Sequence, residues 1–225
     1  MSRILITFLL LSSVLRAQEI DTIKSSRYLE DQIYIGFSIA TLIKTPKEVV
    51  QNGFSNSFEI GFIKDFPFTE RGNFALGIGL GYGRNTYFQN IKIEKIGAVT
   101  EFQTVATANF KNNKFSVHSV ELPFEIRWRT STISKYKFWR IYVGTKVSYV
   151  FTSNAKFKEI GSTIKIKKIP EINKLQFGLR LAAGYGTWNF NFYYGLTDLF
   201  SNASLNETTP LRARDFRIGL IFYIL

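Results

Sequence analysis

Residues 73–84 read NFALGIGLGYGR. Phe74, Leu76, Ile78, Leu80 and Tyr82 occupy the even positions, and Ala75, Gly77, Gly79, Gly81 and Gly83 the odd ones. Strict alternation is the mark of a strand with two unlike faces. A helix would scatter these glycines around its circumference and lose roughly 1 kcal/mol at each. The segment reads as β, with one face large and apolar and the other nearly bare.

Similar alternation recurs at residues 33–40, 58–63, 120–129, 140–151, 175–182, 190–197 and 216–223. In the fourth strand, for instance, Val120, Leu122, Phe124, Ile126 and Trp128 oppose Glu121, Pro123, Glu125, Arg127 and Arg129. The total is eight strands of about the ten-residue length that a tilted membrane strand needs. In a soluble sandwich or lipocalin the apolar face would be the core, and the second face would be crowded with Lys, Glu, Thr and Ser. Here the second face holds glycine and isolated charges, which suits a cramped lumen; charges pointing into lipid would cost several kcal/mol each. The expectation is an all-β chain: an eight-stranded antiparallel up-and-down transmembrane β-barrel.

The connections alternate in length. Long ones span residues 42–56, 85–114, 152–173 and 200–212; short ones span 67–72, 130–138 and 186–189. Outer-membrane barrels have long external loops and short periplasmic turns, which puts both termini in the periplasm. Trp128, Trp139 and Trp188 each sit beside a short turn, as a periplasmic aromatic girdle would. Within the long loops, 91–99 (IKIEKIGAV) and 163–169 (TIKIKKI) alternate again and are expected to extend the strands as a hairpin rim.

Residues 1–17 have a positive Arg3, an apolar run at 4–11 and Ala17 before Gln18. This is a secretory signal pattern, too short for a membrane-spanning helix. The organisation expected is a signal peptide over 1–17, a short periplasmic segment over 18–31 and an outer-membrane barrel over 32–225 of a Gram-negative cell.

The chain is 45% hydrophobic and 16% aromatic, has no cysteine and one histidine, and carries a formal charge of +12. That excludes a disulfide framework and a thiolate or His-rich metal site; no cofactor is implied. No nucleic-acid motif accompanies the basic balance, so outer-membrane lipid and lipopolysaccharide phosphates are the expected anionic partners. Lys92, Lys95, Lys111, Lys114, Lys156, Lys158, Lys165, Lys167 and Lys168 cluster in the long loops, either as a solvated rim over those phosphates or as a docking surface for an acidic protein.

Parity turns Glu59, Glu121, Glu125, Arg127, Arg129, Arg140, Lys146, Arg180 and Arg217 inward. Glu121, Lys146, Arg180 and Arg217 fall near mid-barrel. Acids and bases together in a low-dielectric lumen imply paired networks. Such a network is a salt-bridged plug, the preferred reading, or else lines a narrow polar pore. Pro123 deletes a ladder bond in a strand with no free edge and predicts a bulge or kink there. His118, between Ser116 and Ser119, faces outward with no carboxylate partner, so nucleophilic catalysis is disfavoured.

Residues 119–126 (SVELPFEI) and 193–199 (YYGLTDL), with the leader ending at Ala17-Gln18, resemble the PorT-like outer-membrane β-barrel family of Bacteroidota. The resemblance implies an outer-membrane barrel. It implies further that this one acts as a family member does in type IX secretion and gliding, as a subunit of a larger envelope machine. The leading functional expectation is therefore a non-enzymatic barrel that is a structural or interaction subunit with protein partners, in secretion or in outer-membrane protein assembly. A small channel comes second, and a rim enzyme acting on lipid third.

Overall fold

A computed structural model describes residues 31–69, 71–97, 99–130 and 138–224. The expected signal peptide, nearly all of the 18–31 segment and most of the 130–138 turn lie outside the described residues. The chain runs β1 (Gln32–Ile43), β2 (Asn56–Pro67), β3 (Phe74–Phe88), β4 (Ile91–Ile96), β5 (Val99–Thr104), a one-turn 3₁₀ helix, β6 (Asn112–Arg129) and β7 (Trp139–Lys158). It continues through β8 (Thr163–Lys167), β9 (Leu175–Tyr185), β10 (Trp188–Gly195), β11 (Ser204–Leu205), β12 (Thr209–Pro210) and β13 (Arg214–Ile224).

Eight of these strands close a ring, β1–β2–β3–β6–β7–β9–β10–β13 and back to β1, with every pairing antiparallel. The ladder from Ile33↔Ile224 to Ile43↔Arg214 seals the last strand to the first. Closure removes the edges that an open sheet would expose. Along each strand the outward residues are large, apolar and half exposed, for example Phe37, Phe62, Leu80, Ile126 and Phe190. Trp139 and Trp188 are exposed at the short-turn end, where Trp139 and Trp188 both pair with Tyr185. Trp128 stands at the same end, opposite Phe74 and Ile141.

Three features depart from the sequence expectation. First, strands on one side are far longer than a membrane crossing: β6 has 18 residues and β7 has 20. Secondly, the bulge is not at Pro123. The β3–β6 ladder lapses opposite Leu122 and Pro123 but keeps its register on both sides, from Gly81↔Glu121 to Ile78↔Phe124. The register shift lies higher, where His118 pairs with Thr152 and Ser119 with Val150, leaving Phe151 as the extra residue of β7. One inserted residue flips all side chains beyond it. Below the shift, Tyr142, Lys146 and Val150 point inward; above it Ser153, Ala155 and Phe157 do. Without it Phe157 would face out and Lys156 and Lys158 would be driven into the interior.

Thirdly, the 91–99 hairpin does not extend the barrel strands. β4 and β5 pair with each other, β5 pairs in parallel with β11, and the assembly folds over the barrel mouth. Only β8 lengthens the wall, beside β7. Ile91, Ile93, Phe102, Ile166, Ile172, Phe200 and Leu205 from the long connections meet Tyr87, Phe115 and Val150 of the wall in one buried apolar cluster. Phe200 packs edge-on against Phe102 and Phe115, at 5.6 and 5.4 Å between ring centroids. The mouth is thus capped by a core of the soluble-protein kind, because the loops carry enough apolar side chains to bury one another.

Gly144 shows how tight the wall is. A Cβ there would overlap the carbonyl oxygen of Phe124 on the neighbouring strand, backbone that cannot swing aside. Gly144→Val is expected to abolish the folded, heat-modifiable band on cold SDS gels, whereas Val143→Ala on the outward face should retain it.

Candidate functional site

The lumen is the natural place to look for chemistry, and its occupants come from every strand of the ring. Glu59, Glu121, Glu125, Arg127, Arg129, Arg140, Lys146, Arg180 and Arg217 are all buried. Two acids that sequence reasoning passed over join them, Asp65 and Asp215. Both lie at the inward parity of their strands, in step with Glu59 and Arg217, so extending the alternation by one turn of the pleat would have found them.

At the short-turn end Asp65 accepts hydrogen bonds from both Arg127 and Arg129. Arg127 also donates to Gln32 Oε1 at 2.7 Å and stacks over the Tyr142 ring. Arg140 lies over Phe138, 4.5 Å from its centroid. One level up, Glu125 meets Arg127 Nε at 3.3 Å and Arg180 at 3.2 Å. At mid-barrel Lys146 Nζ sits 2.8 Å from Glu59 and 2.8 Å from Glu121, tying β7 to its neighbour β6 and, three strands round the ring, to β2. Glu59 also receives Asn191 Nδ2 at 2.9 Å and Arg180 at 3.4 Å. Above them Arg217 pairs with Asp215 at 2.9 Å, donates to Ser57 and Asn85, and lies 3.9 Å over the Tyr193 ring.

The bare face of β3 is what admits these groups. A Cβ at Gly77 would strike Arg127, one at Gly81 the Tyr34 hydroxyl, and one at Gly83 the Glu121 carboxylate. The glycines hold space for side chains arriving from other strands. An eight-stranded ring is just wide enough for side chains to fill, and here five buried carboxylates and six buried cations fill it. Above this ion-paired layer the apolar lid forms a second, separate layer of buried side chains.

The outward candidates fall elsewhere. His118 stands just above the apolar belt, its Nδ1 2.6 Å from the Tyr82 hydroxyl and its ring near Phe151. Burial and the Arg84 guanidinium opposite hold the imidazole below its ordinary pKa. Ser119 points into the barrel, away from it. No group of His, Asp and Glu able to hold a metal ion occurs among the described residues. The rim lysines form an outward row: Lys114, Lys156 and Lys165 are direct cross-strand neighbours on β6, β7 and β8. Like charges placed opposite are unfavourable, and among the described residues none of the three has a carboxylate within ion-pair distance. Lys158, Lys167 and Lys168 are exposed beside them, and Lys95 on the β4–β5 hairpin; Lys92 is tied to Glu94.

A closed antiparallel ring with an apolar exterior and an ion-paired interior is a transmembrane β-barrel. Residues 16–201 match the family model of the outer membrane protein β-barrel domain, and the chain belongs to that family; its place is the outer membrane. No curated protein sequence matches it. Among solved structures it is similar to Ail, the attachment invasion locus protein of Yersinia pestis, at 13% identity and a TM-score of 0.40, over 87% of this chain and 99% of that one. It is similar also to Ail in complex with the heparin analogue sucrose octasulfate, at 13% identity and a TM-score of 0.38 over the same shares.

The mid-barrel bridge makes a quantitative prediction. Lys146→Met leaves Glu59 and Glu121 buried without their shared cation and should destabilise the barrel by about 3 kcal/mol, at the low end for a broken buried pair because Arg180 and Arg217 remain. Adding Glu121→Gln should recover part of that loss. Urea unfolding in detergent micelles, followed by tryptophan fluorescence, measures both; simple additivity of the two substitutions would contradict the bridge.

Proposed function

We propose that this protein is a non-enzymatic, non-conducting outer-membrane barrel that works through its wall and capped loops, as a structural or interaction subunit of a larger envelope machine. The observation that carries this reading is the double closure: ion pairs fill the lumen from Asp65 up to Asp215, and an apolar lid covers them. A lumen so filled has no path for a solute, and function is displaced to the outer surface.

The likeness of residues 119–126 and 193–199 to the PorT-like family of Bacteroidota supports a machine of the type IX secretion kind, with outer-membrane protein assembly as the other candidate role. In this reading residues 1–17 are removed as a signal peptide, and both termini and the Trp128, Trp139 and Trp188 girdle face the periplasm. The long loops face outward, and their unneutralised lysines meet lipopolysaccharide phosphates or an acidic protein partner.

Affinity purification from native membranes in mild detergent should recover stoichiometric protein partners; a lone monomer would count against the machine role. Planar-bilayer recordings of the purified barrel should give no reproducible unitary conductance, and regular conductance steps would overturn the closed-lumen reading.

A further inference from the structure

At the level of the β7 bulge, on the opposite edge of the strand, the outer wall carries a cleft. β9 leaves β7 at Tyr149↔Leu175, and β8 does not join until Asn154↔Lys167. Between these points the edge of β7 is covered only by the connection at 168–174. That connection is pinned by two backbone hydrogen bonds, Lys168 N donating to Ser153 O and Val150 N donating to Lys174 O, both at 2.7 Å. Lys168 takes a left-handed backbone conformation, φ 60°, which is unfavourable for a lysine.

The result is an open cleft of about 330 Å³ between the wall and this connection. Its floor is aromatic: Tyr149 and Phe151 are 52% and 50% exposed, and Phe151 continues sideways into the Tyr82 and His118 rings at 6.4 and 6.3 Å. Its lining carries two cations, Lys168 at the upper end beside Ser153 and Lys174 at the lower end beside Val150, together with Thr152; no acidic residue lines it, although Glu171 belongs to the same connection. Arg84 continues the cationic level on the far side of His118. The aromatic floor merges downward into the apolar belt through Leu175 and Phe177. A ligand that fits has an acyl chain to lie on the aromatic rings and a phosphate to sit between the two lysines that line the same cleft.

From this geometry we infer that the β7 cleft is a specific binding site for one phosphorylated glycolipid of the surrounding leaflet. Its phosphate is held by Lys168 and Lys174 and an acyl chain lies along Tyr149 and Phe151. The choice of glycolipid over phospholipid rests on the outward orientation of the long loops proposed above.

Native mass spectrometry of the full-length barrel in detergent, titrated with purified lipid A or with phosphatidylglycerol, tests the site. One lipid A should bind per barrel and outcompete phosphatidylglycerol. Lys168→Glu with Lys174→Glu should weaken it about tenfold or more, as expected for two cations near a phosphate. Phe151→Ala should also weaken it, while Lys95→Glu with Lys165→Glu, on the rim outside the cleft, removes only general attraction and should weaken it far less. Equal loss in the rim variant would reduce the effect to diffuse charge, and undiminished binding in the cleft variant would overturn the site; so would equal affinity for phosphatidylglycerol. Because the chain has no cysteine, Lys95→Cys labelling on intact cells reports the orientation independently, so a failed orientation and a failed site are told apart.

Discussion

A ring of eight strands leaves an interior only a side chain or two across, and that width governs nearly everything else in the molecule. Whatever points inward is removed from bulk water and from lipid, and the charges there meet one another. Lys146 illustrates the solution: one ammonium lies between two carboxylates borne by different strands, so the desolvation of three charges is offset by a single compact contact. The glycines of β3 follow from the same limit. A wall that must accept Arg127 and Glu121 from the neighbouring strand and Tyr34 from the next but one cannot carry side chains of its own at those points.

The lower and upper halves solve opposite solvation problems with one continuous set of strands. Below the β7 bulge the outside is apolar and the inside polar; above it the outside carries Lys114, Lys156 and Lys158 and the inside Phe115, Ala155 and Phe157. The inversion matches a change of solvent from hydrocarbon to water. A period-two polypeptide cannot reverse polarity without either changing its residue pattern or shifting phase. β6 changes its pattern at constant parity, with odd residues inward throughout, whereas β7 shifts phase through Phe151.

That difference explains what was legible beforehand. The eight strands, their faces and the buried charges can be read from alternation alone, because side-chain direction in a strand depends only on parity. The long and short ends follow from segment spacing. The bulge could not be placed this way: Pro123 was the visible irregularity, yet a missing N–H only interrupts the ladder, whereas the phase shift at Phe151 leaves no mark in a run that reads equally well in either phase. The lid was hidden for another reason. Ile91, Ile93, Phe102 and Leu205 lie on short segments whose burial depends on meeting one another across distant connections, and local pattern carries no information about such meetings. Asp65 and Asp215 continue the inward parity just past the ends of the clearest alternating runs.

The polarity inversion also sets a dimension. On β6 the outward apolar stretch runs from Val120 to Trp128, which at the usual rise and tilt is a belt about 22 Å tall. Arg84 and the β7 cleft bound it above and the tryptophans bound it below. A bilayer much thicker than this belt would bring acyl chains against Arg84 and Lys168 or force the membrane to thin around the protein, at a cost that grows with each ångström of mismatch. The chain therefore carries in its side-chain sequence a preference for a thin membrane, one that would help to hold it there independently of any partner.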